Sequence, residues 1–151
     1  MATPTQALAK HFSDNWTYTA ISWANFNGFF DAGKTRTGFT NNDLWVEPKI
    51  EFVDSSGQMV NPTAFAKTVH SYLFSIWLVG TRDSGTANFS TRAANLVSLY
   101  NRTSVTSESV TMYFRELQTF DGFVRDVGGN TTSEGGSYWA VPSMVAFGVS
   151  V

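Results

Sequence analysis

TVHSYLFSIWLVG, residues 68–80, is the stretch of sequence that decides the fold. Its length and nearly continuous apolar character predict a buried strand that ends at Gly80. A short polar turn follows, and apolar residues then recur at helical spacing between Thr86 and Tyr100. The helical set consists of Phe89, Ala93, Leu96, Val97 and Tyr100. A buried strand followed by an amphipathic helix predicts a core that contains both sheet and helix.

Upstream of this unit, the sequence predicts one helix and two strands. Thr3 and Pro4 are typical of a helix start, so we expect a helix over residues 4–14. Residues 17–23 are a short strand candidate. Residues 44–53 alternate between apolar and polar side chains and predict a strand, in which Pro48 should occupy an edge or bulged position.

Downstream, alternation predicts further strands. Residues 110–114 and 120–127 are strand candidates, and 139–151 carries the strongest two-residue periodicity of the chain. Four segments read as irregular or as turns: 54–57, 58–67, 101–107 and the glycine-rich 128–136. Residues 25–43 read as a long loop. The sequence therefore predicts an α+β fold, a mixed but mainly antiparallel β-sheet packed by two helices, in a single domain over residues 1–151.

Composition limits the possible partners. The chain has 151 residues, a net charge of −2 and only 15% charged residues, but it has 13 Phe, five Trp and five Tyr. Without a basic block, electrostatic binding to nucleic acid is not expected. No apolar run approaches the ~20 residues of a membrane span. Low charge and many aromatic residues favour burial against protein partners instead.

Residues 28–35, GFFDAGKT, match the phosphate-binding pattern G-x-x-x-x-G-K-[ST]. A working phosphate loop needs a helix that begins at Lys34-Thr35, because the amides of its first turn face the anion. The next residues, 36–42, read as loop. We therefore expect a surface loop and no cofactor, while a small nucleotide-binding enzyme remains an alternative.

No other pattern indicates chemistry. His11 and His70 have no metal-ligand spacing, and structural roles are favoured for both. The carboxylates of Glu47 and Glu51 share a strand face, as many solvated pairs do. We expect no catalytic residue, no metal site and no enzymatic activity.

Taken in order, several segments resemble the tail terminator (minor tail protein U-like) family of long-tailed bacteriophages. The resemblance covers nearly the whole chain. It rests on the N-terminal helix, ISWAN at 21–25 with the following Phe29, WVEPKI at 45–50, the strand, glycine turn and Ala-rich helix of 72–100, and the closing strand 139–149.

The resemblance implies a hexameric ring that caps the finished tail tube, stops its polymerisation and joins the tail to the head connector. The implied partners are other copies of the chain, the tail tube protein and a head-completion or neck protein. The implied location is the head-proximal end of the tail, reached from the host cytoplasm. We expect loop residues to form the interface: Phe29, Phe30, Lys34, Arg36, Phe39 and Asn130.

Two other structural or binding functions stay open. One is another neck or tail protein of a phage, and the other is a carbohydrate- or receptor-binding β-module. Aromatic excess and Asn/Thr/Gly loops fit a β-module. The helices predicted at 4–14 and 86–100 argue against it, because sandwiches and jelly rolls rarely need them.

Overall fold

The computed structural model describes residues 2–21, 23, 44–61, 65–81, 86–126 and 137–150. The elements, in chain order, are α1 Pro4–Asn15, β1 Ala20–Ile21, β2 Leu44–Asn61, β3 Phe65–Thr81, α2 Thr86–Tyr100, β4 Ser104–Ser107, β5 Val110–Phe114, β6 Gln118–Thr119, β7 Phe123–Asp126 and β8 Ser137–Ser150. The sheet order is β1-β2-β3-β8-β5-β4, and β6 and β7 also pair with β8. Only the β1–β2 pairing is parallel among the described strands. The predicted α+β class, with a mainly antiparallel sheet and two helices, is confirmed.

Helix α1 begins where the sequence predicts. The Gln6 amide donates to Thr3 Oγ1 at 3.2 Å, and the Thr3 amide donates to Gln6 Oε1 at 3.0 Å. This reciprocal capping satisfies two amides that the first turn leaves without a helical partner. The helix buries Ala7, Leu8 and Phe12 against the sheet.

Helix α2 buries a narrower face than its apolar pattern indicates. Phe89, Leu96 and Tyr100 are buried, whereas Val97 is exposed, so its expected place in the core is wrong. At 100° per residue, Val97 lies about 70° away from the mean direction of the other four apolar residues. This rotation takes its side chain out of the buried face of the helix.

The alternating strands pack as predicted. Val110, Met112 and Phe114 of β5 are buried, as are Val145, Phe147 and Val149 of β8. These two sets lie side by side, since Met112 is opposite Val149 and Phe114 is opposite Phe147. Their shared face belongs to the core that also includes residues of both helices.

Strands β2 and β3 form a hairpin much longer than the sequence predicts. The predicted turn at 54–57 is wrong, and the irregular segment predicted at 58–67 is wrong for its described residues, because β2 continues to Asn61 and β3 begins at Phe65. Gly57, for example, is opposite Thr68. Pairing with an adjacent strand outweighs weak intrinsic β-propensity, which is why Ser and Gly are accommodated here. A register shift between Phe52 and Asp54 marks a bulge.

Pro48 occupies an edge, as predicted. Strand β1 pairs with Trp45 and Val46 only. At Pro48, therefore, no described strand pairs with β2 on the side away from β3. Proline is tolerated in an edge strand where its nitrogen faces away from the neighbouring strand. The bulge falls four residues later, at Phe52/Asp54.

The predicted polar link at 101–107 is in part a strand. β4 and β5 form a hairpin that closes with Ser107 opposite Val110. Glu108 and Ser109 have positive φ angles of 51° and 66°, which a two-residue type I′ turn requires at both positions. Glu-Ser is not the Asn-Gly pair that usually signals this turn. The short candidates at 17–23 and 120–127 contain β1 and β7.

Candidate functional site

The interface residues expected from the sequence lie outside the described residues. Phe29, Phe30, Lys34, Arg36 and Phe39 belong to residues 24–43, and Asn130 belongs to 127–136. The loop predicted at 25–43 and the phosphate-binding pattern at 28–35 fall in the same undescribed part. The described surface, however, carries two groups of exposed apolar residues, and none of these residues was among those expected at an interface.

The first patch, here called the β2 corner, consists of Phe52 and Val53. Their side chains are 57% and 61% exposed. They lie at the bulge of β2, where no described strand pairs with β2 on the side away from β3. The Phe52 ring is supported edge-on by the rings of Tyr72 and His70, with centroids 5.4 Å and 5.7 Å away. The patch is therefore exposed but held by cross-strand contacts.

The second group of exposed apolar residues, here called the β7 corner, consists of Phe120, Phe123 and Val124, of which Phe123 and Val124 lie on opposite faces of the sheet. Their side chains are 45%, 38% and 47% exposed. Strand β7 borders β8 on the side away from β3, with Phe123 opposite Ala140. Phe123 also meets the Trp77 ring edge-on at 5.4 Å. The Phe120 amide donates to the Pro142 carbonyl at 2.9 Å, which fixes the chain just before β7.

Gly122 holds the β7 corner close to β8. A Cβ built on Gly122 would lie 2.7 Å from Trp139 Cζ2 and closer still to Nε1 and Cε2. The backbone at Gly122 therefore lies directly against the indole, where only glycine fits without a shift. The apolar side chains on either side of it, Phe120 and Phe123, remain at the surface.

Both corners contain a Phe-Val pair, at 52–53 and at 123–124. Adjacent residues of a strand point to opposite faces, so one member of such a pair must face away from a core on one side of the sheet. This signal could have indicated both corners from the sequence. A Phe-Val pair alone does not show whether the second face of the sheet is exposed to solvent or is also covered.

Among the described residues, few contacts between ionisable groups have a geometry suited to catalysis. His11 Nδ1 lies 2.9 Å from the Tyr100 hydroxyl. Burial lowers the pKa of His11 and raises the pKa of Tyr100, so a neutral pair is favoured. This contact joins α1 to α2 and supports the structural role predicted for His11. Glu51 forms a surface ion pair with Lys49.

No group of three or more His, Asp or Glu side chains in the described ranges could hold a metal ion. Neither helix in the described part has the length and apolar character needed to cross a membrane.

Comparisons with known proteins give a likeness of fold alone. No model of a protein family matches this chain, and a search of curated proteins found no match. A solved structure of a protein whose name states no function is similar over 98% of this chain and 96% of its own, with a TM-score of 0.57. The two sequences are 12% identical. The likeness extends over nearly all of both chains, but a shared fold does not assign a function.

Proposed function

We propose that this protein is a structural virion protein of the tail terminator type. Copies of the chain form a hexameric ring that caps a phage tail tube, ends its polymerisation and joins the tail to the head connector. The order of elements supports the proposal: α1, the Trp45-led strand β2, the strand β3 followed by α2, and the closing strand β8. This is the order on which the sequence resemblance rests.

The observation that carries the proposal is the pair of apolar corners. They lie toward opposite edges of one sheet, since β2 and β7 are separated by β3 and β8. A subunit of a ring contacts two neighbours through two different surfaces. Exposed side chains such as Phe52 and Phe120 are typical anchors of such contacts.

One end of the β2–β3 hairpin extends beyond the other described strands of the sheet. Pairing of β3 with β8 ends at Val69 opposite Ser150, whereas pairing with β2 continues to Asn61 opposite Phe65. Among the described strands, this end of the hairpin is a two-stranded ribbon about 15 Å long. An isolated two-stranded ribbon is marginally stable in water, so contact with another subunit or with the tube would stabilise it.

Ring symmetry explains how weak single contacts could cap a tube. The end of a tube presents the same subunit surface several times, and a ring of matching symmetry can bind all of these surfaces at once. After the first contact, each further contact is intramolecular and benefits from a high effective concentration. Binding of this kind needs no enzymatic turnover.

Two measurements test the proposal. Light scattering at several concentrations should give the mass of a hexamer, or of a monomer that becomes hexameric on isolated tails. Electron microscopy of particles made without the gene should reveal overlong or headless tails, and supplying the gene in trans should restore normal ones. Normal tails without the gene would rule out the terminator function. A monomer that binds immobilised glycans would favour the β-module instead.

A further inference from the structure

The contact between His11 and Tyr100 joins two helices through groups that can each donate or accept a hydrogen bond. His11 belongs to α1, and Tyr100 is the last residue of α2. His11 Nδ1 lies 2.9 Å from the hydroxyl oxygen, and the two rings meet edge-on with centroids 5.7 Å apart. A neutral imidazole carries its hydrogen on either nitrogen, so the distance alone does not fix which group donates.

The surroundings of Tyr100 decide the direction of this hydrogen bond. The Tyr100 side chain is fully buried. The rings of Phe12, Phe74 and Phe114 lie around it, with centroids 6.2 Å, 5.4 Å and 4.9 Å away, and phenyl rings offer no acceptor of ordinary strength. Among the described residues, the hydrogen-bond partner of the hydroxyl is His11 Nδ1. Because a buried O–H group needs an acceptor, the hydroxyl donates to an unprotonated Nδ1, and His11 carries its hydrogen on Nε2.

Protonation of His11 destroys this arrangement. A proton taken up from solvent bonds to the Nδ1 lone pair that had accepted the hydroxyl hydrogen, and the resulting imidazolium has two donors and no acceptor. If the rings stayed in place, the hydrogen of the Tyr100 hydroxyl would have no acceptor in an apolar site. If the imidazolium turned away, it would reach solvent at once, because His11 is only half-buried. Burial lowers the pKa of His11, as expected where the neutral form is favoured.

The charged groups next to His11 favour an imidazolium that points to solvent. Lys10 and Asp14 form an exposed ion pair on α1, with Nζ 2.8 Å from Oδ2. Asp14 follows His11 by three residues and therefore lies on the same side of the helix. Its carboxylate raises the pKa of His11, although burial lowers that pKa by more. Glu108, in the turn between β4 and β5, acts on Lys10.

The elements packed near α1 bring no further charge to His11 among the described residues. Strands β4 and β5 contain no charged residue, and Tyr113 of β5 is exposed. Arg92, the charged residue of α2, lies over the Tyr18 ring. His70 of β3 meets the Phe52 ring instead. Asp14 is therefore the charged group to which a protonated His11 can turn.

We propose that the His11–Tyr100 contact is a pH-sensitive latch between α1 and α2. The latch is closed while the Tyr100 hydroxyl donates to Nδ1 of neutral His11. It opens when Nδ1 binds a proton and the imidazolium turns to solvent beside Asp14. Opening is local, because the buried side chains of Leu8 and Phe12 keep α1 on the sheet in both states. The latch belongs to the single subunit and does not depend on ring formation.

Nuclear magnetic resonance of the imidazole nitrogens tests the direction of the hydrogen bond. At pH 8, His11 should have an unprotonated Nδ1 and a protonated Nε2. The chain has two histidines, so the set of signals that is missing from His11→Gln assigns His11. A hydrogen on Nδ1 at this pH would overturn the proposal, because the hydroxyl could not then donate to it.

Tyr100→Phe keeps the buried ring and removes the hydroxyl. Because the hydroxyl stabilises only the neutral imidazole, its loss should raise the pKa of His11, which means a proton affinity about two- to tenfold higher than in wild type. Donation from His11 to the hydroxyl oxygen predicts the opposite change, a lower pKa in the variant. Tyr72→Phe is the matched control, since it removes the hydroxyl of another buried tyrosine and should leave the His11 pKa unchanged. Thermal melting verifies folding of both variants.

Nuclear Overhauser effects between ring protons test the opening, and they need only wild type if Tyr100→Phe does not fold. The effects between His11 and Tyr100 should be present at pH 8 and lost below the measured His11 pKa, while those between Phe12 and Phe74 persist. In His11→Gln, effects between the Gln side chain and Tyr100 should persist at both pH values, because an amide does not titrate there.

Three results would overturn the latch. An unchanged or lower His11 pKa in Tyr100→Phe would mean that the hydroxyl does not donate to His11. Ring contacts that persist when His11 is protonated would mean that the hydroxyl reverses without opening. Loss of the Phe12–Phe74 contacts together with the His11–Tyr100 contacts would mean that the whole subunit unfolds as His11 titrates.

Discussion

Tyr72 and Phe147 stack across β3 and β8, with ring centroids 5.1 Å apart and planes 11° from parallel. The stack is the middle of a row that crosses four strands. Phe52 on β2 meets Tyr72 at 5.4 Å, and Phe114 on β5 meets Phe147 at 4.9 Å. Each residue is directly opposite the next in the strand register. The row runs from the exposed β2 corner into the buried core.

Substitution of Phe147 should be strongly destabilising because its side chain is buried at the centre of this row. Phe147→Ala should lower the free energy of unfolding by about 3–5 kcal/mol, through lost burial and a cavity. Phe147→Asp should leave no folded protein, because a buried carboxylate without a partner adds a large desolvation cost. Urea denaturation followed by circular dichroism measures both.

Phe52→Ala is the matched control, since Phe52 belongs to the same row but is exposed. In the monomer, Phe52→Ala should lower the free energy of unfolding by about 0.5–1.5 kcal/mol, the range measured for aromatic pairs. Equal losses for Phe52→Ala and Phe147→Ala would mean that burial does not set the stability of the row. A soluble Phe147→Asp with an unchanged melting temperature would place this face in solvent.

Much of the core could be predicted from the sequence because alternate residues of β5 and β8 are buried on the same face of the sheet. Alternation at Val145, Phe147 and Val149 directly reports that face, since successive strand residues point to opposite sides. The start of α1 could be predicted from Thr3 and Pro4, whose local chemistry suits a helix N-terminus.

Features set by pairing between distant strands could not be predicted. Residues 54–57 read as a turn, yet they pair with residues 68–71 of β3. The hairpin turn at Glu108 and Ser109 was missed because neither residue is typical of a positive φ angle. The two corners lay in segments read as ordinary strands. The expected loop residues, such as Phe29 and Phe39, remain predictions.

Stability should fall in mild acid because of His11. Burial depresses the pKa of His11 in the folded protein below the unfolded value of 6.5, so the unfolded chain takes up the proton first. The contribution of His11 is present above pH 6.5 and is lost as the pH falls through the folded pKa. Nearby Asp14 opposes the shift but is the smaller effect. Unfolding free energies measured between pH 8 and pH 5 test this predicted loss of stability with falling pH.

His11→Gln isolates this contribution, because an amide retains hydrogen-bonding capacity toward Tyr100 without titrating in this range. The variant should show a smaller loss of stability between pH 7 and pH 5 than wild type. Identical pH profiles would show that His11 titrates alike in the folded and unfolded states.

Phe29, Phe30 and Phe39 should contribute to assembly or tail contact. Aromatic residues in a segment of low charge are typical interface anchors. The triple alanine variant should keep the wild-type melting temperature, since we expect these loop positions to add little to the core. It should weaken ring formation or binding to tails, measured by sedimentation with purified tails. Normal-length tails joined to heads in particles that carry the triple variant would remove these residues from the mechanism.

Gly122→Ala should disturb the β7 corner without unfolding the sheet. The added methyl would overlap the Trp139 indole, which is too bulky and too well packed to move freely. Overpacking of this kind costs about 1–3 kcal/mol. Near-ultraviolet circular dichroism should reveal an altered tryptophan environment. Gly148→Ala is the control, because its Cβ would meet Val69 Cγ1 at an ordinary 3.4 Å.

The double variant Gly122→Ala with Trp139→Ala separates local overlap from a general intolerance of alanine at this position. Trp139→Ala alone should be destabilising through lost contacts, but it removes the ring that the new methyl would meet. Adding Gly122→Ala to Trp139→Ala should then cost much less than adding it to wild type, a coupling that a double-mutant cycle measures directly. If the cost of Gly122→Ala is the same in both backgrounds, the close approach to Trp139 does not determine the residue at position 122.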